Sequence, residues 1–226
     1  MTFSLIGRCA RSGQFGAVVT TSAVGVGARC PFARAGVGAV LTQHRTDPRL
    51  GPLGLDLLAR GFTAQQALDA IVAATPHRHW RQLAVIDAAG TTAHYTGAQV
   101  RAAVSVAQGQ DCVGLGNILR DEGVAPAMVA TFAADPALPL ADRLVAAIQA
   151  GEDAGGETAP VVSAALLVVD RESFPFVDLR VDAHEAPLAE LARLWALYAP
   201  TAEDYVRRAV DPDFATTYVA PAPKRV

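Results

Sequence analysis

The sequence predicts an α+β protein, a four-layer αββα sandwich of two antiparallel sheets, and two observations predict it. Its segments run strands, a pair of helices, strands, a second pair of helices, strands, which is not the regular alternation of a parallel doubly wound sheet. The run AALLVV at 164–169 is apolar at consecutive positions, so such a strand needs cover on both faces. Two sheets packed together, each under a layer of helices, meet that need.

Each element has its own signal. Phe3, Leu5 and Cys9 alternate with Ser4 and Arg8, the turn Arg11-Ser12-Gly13-Gln14 follows, and a β-rich run begins at Gly16; together they read as a hairpin. A third strand-like run starts at Gly36 and precedes helical segments at 52–60 and 64–74. Gly61 can stop the first helix, and Thr63 with Gln66 forms a capping box for the second. Strands return in RQLAVID, TTAHYTG, RAAVSVA and DCVGLGN, followed by helical segments at 123–134 and 140–150. The last strands are SAALLVVD and FVDLRVD, before a helix at 187–198 and a tail rich in proline and alanine. Residues 1–200 are expected to form a single domain, with 201–226 a partly flexible C-terminal extension.

Composition narrows the function classes. The 226 residues are 51% hydrophobic and 18% charged, with a formal net charge of -3, which offers no electrostatic reason to bind nucleic acid or an anionic membrane. Cys9, Cys30 and Cys112 are few, far apart and without CxxC spacing, the pattern of small core residues in a reducing compartment rather than of disulfides or zinc ligands. The start lacks a basic-then-apolar signal pattern, and no apolar run approaches a membrane span. The expectation is a cytoplasmic protein acting on a small-molecule substrate, with no cofactor and no metal.

The strings TFSLIGR, VGVGARCPFARAGVGAVLTQ, TDPRLGPLGLDLLARG, GLGNIL, AGEDAGG, SAALLVV and DLRVDAH, in this order between Thr2 and about Leu197, resemble a bacterial family of unknown function assigned to the N-terminal nucleophile (Ntn) hydrolase superfamily. The resemblance implies the αββα sandwich and amide hydrolysis, and it implies a homo-oligomer, a dimer or larger. The chain departs from the family pattern at Thr158-Ala159-Pro160-Val161-Val162.

Thr2 is the leading catalytic candidate. A threonine hydroxyl needs a base, and an α-amino group titrating near neutrality, with an ordinary pKa of about 8, can be one. Removal of Met1 would put nucleophile and amine on one residue. A hairpin symmetric about Ser12 and Gly13 would set Thr2 opposite Ala23, with Thr21 or Ser22 within hydrogen-bonding range of the nucleophile. Arg34, in the string ARAG, is a candidate cation for developing negative charge, and Asn117, after Gly114-Leu115-Gly116, a candidate oxyanion donor. Glu152, Asp153 and Glu157 read as a solvated loop end, and Asp178, Arg180, Asp182 and His184 as one polar strand face. The competing expectation is a non-catalytic binding or assembly protein that keeps the Ntn fold.

Overall fold

The computed structural model describes residues 1–213. Ten strands form two antiparallel sheets. In chain order these are β1 (Thr2–Arg8), β2 (Phe15–Thr21), β3 (Pro31–Arg34), β4 (Gly38–His44), β5 (Arg81–Asp87), β6 (Thr92–Thr96), β7 (Val104–Gly109), β8 (Cys112–Asn117), β9 (Ser163–Val169) and β10 (Val177–Val181). The larger sheet has the order β10-β9-β2-β1-β8-β7 and the smaller β3-β4-β5-β6. The helices are α1 (Leu50–Ala59), α2 (Ala64–Ala74), α3 (Val124–Ala134), α4 (Leu140–Asp153), α5 (Pro187–Tyr198) and α6 (Ala202–Val210).

The two-residue period of the strands divides the interior into three apolar layers. On β1, Phe3 and Leu5 point to one side and join Met128, Phe132, Leu144 and Ile148 of α3 and α4. Ile6 points to the other side and meets Ala39 and Leu41 of β4, Ala84 and Ile86 of β5, and Val113 and Leu115 of β8. The outer face of the smaller sheet is covered by Leu55, Leu58, Leu68 and Ile71 of α1 and α2. Helices thus cover the outer face of each sheet and the sheets pack on one another, an order compatible with the expected sandwich. Each large side chain moved out of water contributes about 1.5–3 kcal/mol before entropy is counted.

Local signals hold where side chains fix an end. Gln66 N–H donates to Thr63 Oγ1 at 3.3 Å while Thr63 N–H donates to Gln66 Oε1 at 3.0 Å, closing the expected capping box. Trp195 Nε1 of α5 donates to Asp142 Oδ1 of α4 at 2.6 Å, tying the later helix to the earlier. The hairpin differs from the sequence expectation. Gly13 takes φ +79 and donates to the Cys9 carbonyl, so the loop centres on Arg11 and Ser12, and Phe3 pairs with Thr20. That register carries Thr2 to Thr21 rather than to Ala23. β3 and α6 were not anticipated from the sequence, and the expected loose tail beyond residue 213 lies outside the described residues. No helix among the described residues is long and apolar enough to cross a membrane.

Candidate functional site

The inter-sheet layer changes character along its strands. Ile6, Leu41, Ile86 and Leu115 are apolar, but two residues further along the same faces stand Ser4, Gln43, and, from the other strand ends, Gln82 at the fourth position before Ile86 and Asn117 after Leu115. Thr2 and Thr21 complete the same end. All six are buried, Thr2 with 5% of its surface exposed. Buried polar side chains are costly unless paired, and here they pair with one another. Ser4 Oγ donates to Gln43 Oε1 at 2.6 Å, and Gln43 Nε2 donates to Gln82 Oε1 at 2.7 Å. Asn117 Nδ2 donates to the same Gln82 oxygen at 3.0 Å, and Gln82 Nε2 donates to the Gly116 carbonyl at 3.0 Å. The chain of amides joins β4 and β5 of one sheet to β1 and β8 of the other.

Thr2 stands at the edge of this network. It faces Asn117 across the β1–β8 ladder, and its hydroxyl lies 3.4 Å from that of Thr21. The Thr2 and Thr21 hydroxyls both donate to the carbonyl oxygen of Met1. No donor among the described residues reaches Asn117 Oδ1. The backbone amides of Gly114 to Gly116 are committed to ladders with β1 and β7, which leaves the Asn117 side chain as the donor that this segment can offer.

The second wall is the segment after α4. Gly156 takes φ +57, a left-handed backbone in which a side chain is strained, and an added Cβ would stand 2.3 Å from Glu152 Oε2. The turn delivers Glu157 into the interior with 2% of its surface exposed, correcting the expectation of a solvated loop end. Its Oε2 accepts from Ser22 N–H at 3.0 Å, while Oε1 is buried without a partner. The next residue, Thr158, donates through its hydroxyl to Met1 Sδ at 3.1 Å. Burial pushes the Glu157 carboxyl up to about 7, with the Glu152 charge acting in the same direction and the Ser22 N–H and the N-terminal ammonium opposing. Glu152 is itself raised by burial. At the end of β4, His44 is held toward its neutral form, first by burial; its Nδ1 lies 2.9 Å from the Trp80 carbonyl.

The raised carboxyl makes stability depend on pH. A group that holds its proton more tightly folded than unfolded contributes stability that is complete below its unfolded value and is lost as pH rises through its folded value. Glu157 therefore favours the folded chain near pH 4.5, and that contribution is lost by about pH 7 to 8. Glu157→Gln is expected to be more stable than the parent chain at pH 8 by about 1–2 kcal/mol and to show a smaller difference at pH 5. Urea unfolding at the two pH values checks this; equal shifts at both would contradict it.

Thr2, Thr21, Ser22 and Asn117 thus come together, Ser22 through its backbone. Arg34 does not join them. It lies at the far end of the smaller sheet, paired with Gly38 at the start of β4, and its guanidinium binds Asp56 at 2.8 Å in solvent. Asp178 and Arg180 form an exposed ion pair at 3.0 Å on the edge strand β10, of the kind that contributes little. All three cysteines are free and buried, and among the described residues no three His, Cys, Asp or Glu side chains are grouped to hold a metal ion.

Two antiparallel sheets between helices, with a buried hydroxyl and amide network where the first strand begins, define an α+β protein with a polar site at one end of its inter-sheet layer. The chain belongs to the family of unknown function DUF1028, whose model matches residues 2–191. Among solved structures it is similar to protein SPO2555 from Silicibacter pomeroyi, which bears the same family model, with a TM-score of 0.83 at 28% identity over 92% of this chain and 94% of that one. Anbu (ancestral beta-subunit) from Yersinia bercovieri matches with a TM-score of 0.39 at 10% identity over 96% of this chain and 100% of that one, a likeness too loose to build on. No curated protein sequence matches the chain.

Proposed function

We propose that the chain is an αββα sandwich of the Ntn type and an amidohydrolase that cleaves a small amide-like substrate through Thr2, once Met1 has been removed. The observation that carries this reading is the convergence of the Thr2 and Thr21 hydroxyls on one carbonyl oxygen, that of Met1, with Asn117 across the ladder from Thr2. Once Met1 is gone, a substrate carbonyl brought up beside Thr2 would face a nucleophile and the neighbouring Thr21 hydroxyl, with Asn117 on the adjacent strand.

The chemistry follows from these groups. The freed α-amine of Thr2 takes the hydroxyl proton as Oγ1 bonds to the substrate carbonyl carbon. Negative charge builds on the carbonyl oxygen, where the Thr21 hydroxyl and the second N–H of Asn117 supply donors. The C–N bond then breaks, the leaving nitrogen takes the proton from the amine, and an ester to Thr2 remains. Water gives up a proton to the amine as it attacks the ester, releasing the acid and restoring the hydroxyl. The Gln82 amide holds Asn117 in place, and the apolar inter-sheet layer behind it, where Ile6, Leu41 and Leu115 pack, keeps the donors from being solvated. Turnover of a panel of small amides, lactams and ureides by the chain lacking Met1, and its loss in Thr2→Ala, tests the reading.

A further inference from the structure

The end of the larger sheet away from Thr2 gathers a second set of polar groups, which the proposed chemistry does not touch. Arg8 closes β1 there, beside the β1–β2 turn, the β7–β8 turn and the loop between α3 and α4, and the length of β1 sets about 20 Å between it and Thr2. These segments border a pocket of about 280 Å³ whose lining includes Arg8, Arg11, Arg143 and Asp111.

One of the three guanidiniums is matched by a carboxylate and two are not. Arg8 Nη1 donates to Asp111 Oδ1 at 3.0 Å and to the Ala89 carbonyl at 3.0 Å, while its Nε is buried without a partner. Arg11 Nη2 donates to the Ala137 carbonyl at 2.7 Å. Arg143, in the first turn of α4, is 7% exposed. Its Nε donates to the Phe132 carbonyl at 2.9 Å, and its Cζ lies 3.8 Å from the centroid of the Phe132 ring. Among the described residues no carboxylate pairs with Arg143, and no acceptor meets its two Nη groups. A buried cation without a counter-charge is costly. An anion in the pocket that Arg143 lines would remove that cost.

We infer that this pocket binds a phosphate group, carried as the free ion or as a small phosphate monoester. Charge favours a dianion, because three guanidiniums against the Asp111 carboxylate leave two positive charges unmatched. Shape agrees, since the planar fork of an arginine meets phosphate oxygens in pairs. Ala10, Ala133 and Pro136 supply an apolar part of the lining, on which the organic body of a monoester would rest. The site is independent of the Thr2 reading and stands whether or not the chain is a hydrolase.

The test is calorimetric titration of the full chain with inorganic phosphate and with phenyl phosphate, in an oxyanion-free buffer of fixed ionic strength, at a pH where both are dianions. At least one of them is expected to bind with a Kd of about 1 mM or lower, and Arg143→Met is expected to weaken that binding at least about tenfold. Tighter binding of phenyl phosphate would support a monoester as the ligand, and equal or tighter binding of inorganic phosphate the free ion; either supports the site. Should Arg143→Met fail to fold, Arg11→Met, at an exposed position, carries the test with an expected loss of about threefold or more. Binding of neither compound, an affinity undiminished in these variants, or acetate binding as tightly as the phosphates would overturn the proposal.

Discussion

Thr2→Ala is expected to leave the protein folded and to lower turnover by about four orders of magnitude or more, the scale of losing an enzymatic nucleophile. The folding half of the expectation comes from the side chain's few partners. The Thr2 hydroxyl meets the Thr21 hydroxyl at 3.4 Å and the Met1 carbonyl, which processing removes, so its loss costs about 1 kcal/mol. Thr2 is buried although it opens its strand, because β1 is an interior strand, flanked by β2 and β8. Thr2→Ser keeps hydroxyl and amine and is expected to retain part of the rate. Asn117→Ala removes one donor and is expected to cost about a hundredfold to a thousandfold. Steady-state kinetics with the best substrate of the panel orders the three variants. Unchanged turnover in Thr2→Ala would make the chain start structural.

Gln82→Leu is expected to have the largest effect on stability, a loss of about 3 kcal/mol. Gln82 is fully buried and accepts from Gln43 and Asn117 through one oxygen while donating to the Gly116 carbonyl and, at 3.4 Å, to Thr96 Oγ1. Leucine fills similar volume but takes away the acceptor that the Gln43 and Asn117 amides share. Each buried donor so orphaned costs about 1–3 kcal/mol. Urea unfolding measures the loss, and a value below about 1 kcal/mol would mean that the network is satisfied by other means. Because Asn117 also loses its anchor, activity is expected to fall further than folding alone explains.

Much of the fold could be read from local chemistry. The helix at 64–74 is bounded by its capping box, and the helix at 187–198 begins at Pro187; both match the expected bounds because their signals lie within a few residues. β3 escaped notice because it has only four residues and opens on a proline. α6 reads as tail in the sequence, since AEDYVRRAV buries little beyond Ala202. The site divides along the same line. Thr2, Thr21 and Asn117 lie on neighbouring strands of one sheet, and strand parity alone suggests part of their grouping. Gln43 and Gln82 come from the other sheet, and no period along the chain reveals which residues meet across a sandwich. Their one visible signal is a polar amide near the end of an otherwise apolar run, VLTQH and RQLAVID. Glu157 resembled a surface carboxylate because it follows an acidic, glycine-bearing stretch; only the path of the turn through Gly156 shows that it enters the interior. Arg34 carries the charge such a site calls for, but the length of β4 separates it from the site.

The central claim is that Thr2 acts as a free N-terminal residue, and the intact mass of catalytically active protein, made without any N-terminal extension, tests it most directly. The account predicts a mass lower than the full sequence by one methionine residue, with the N-terminal peptide beginning at Thr2. Active protein in which Met1 is fully retained would contradict it.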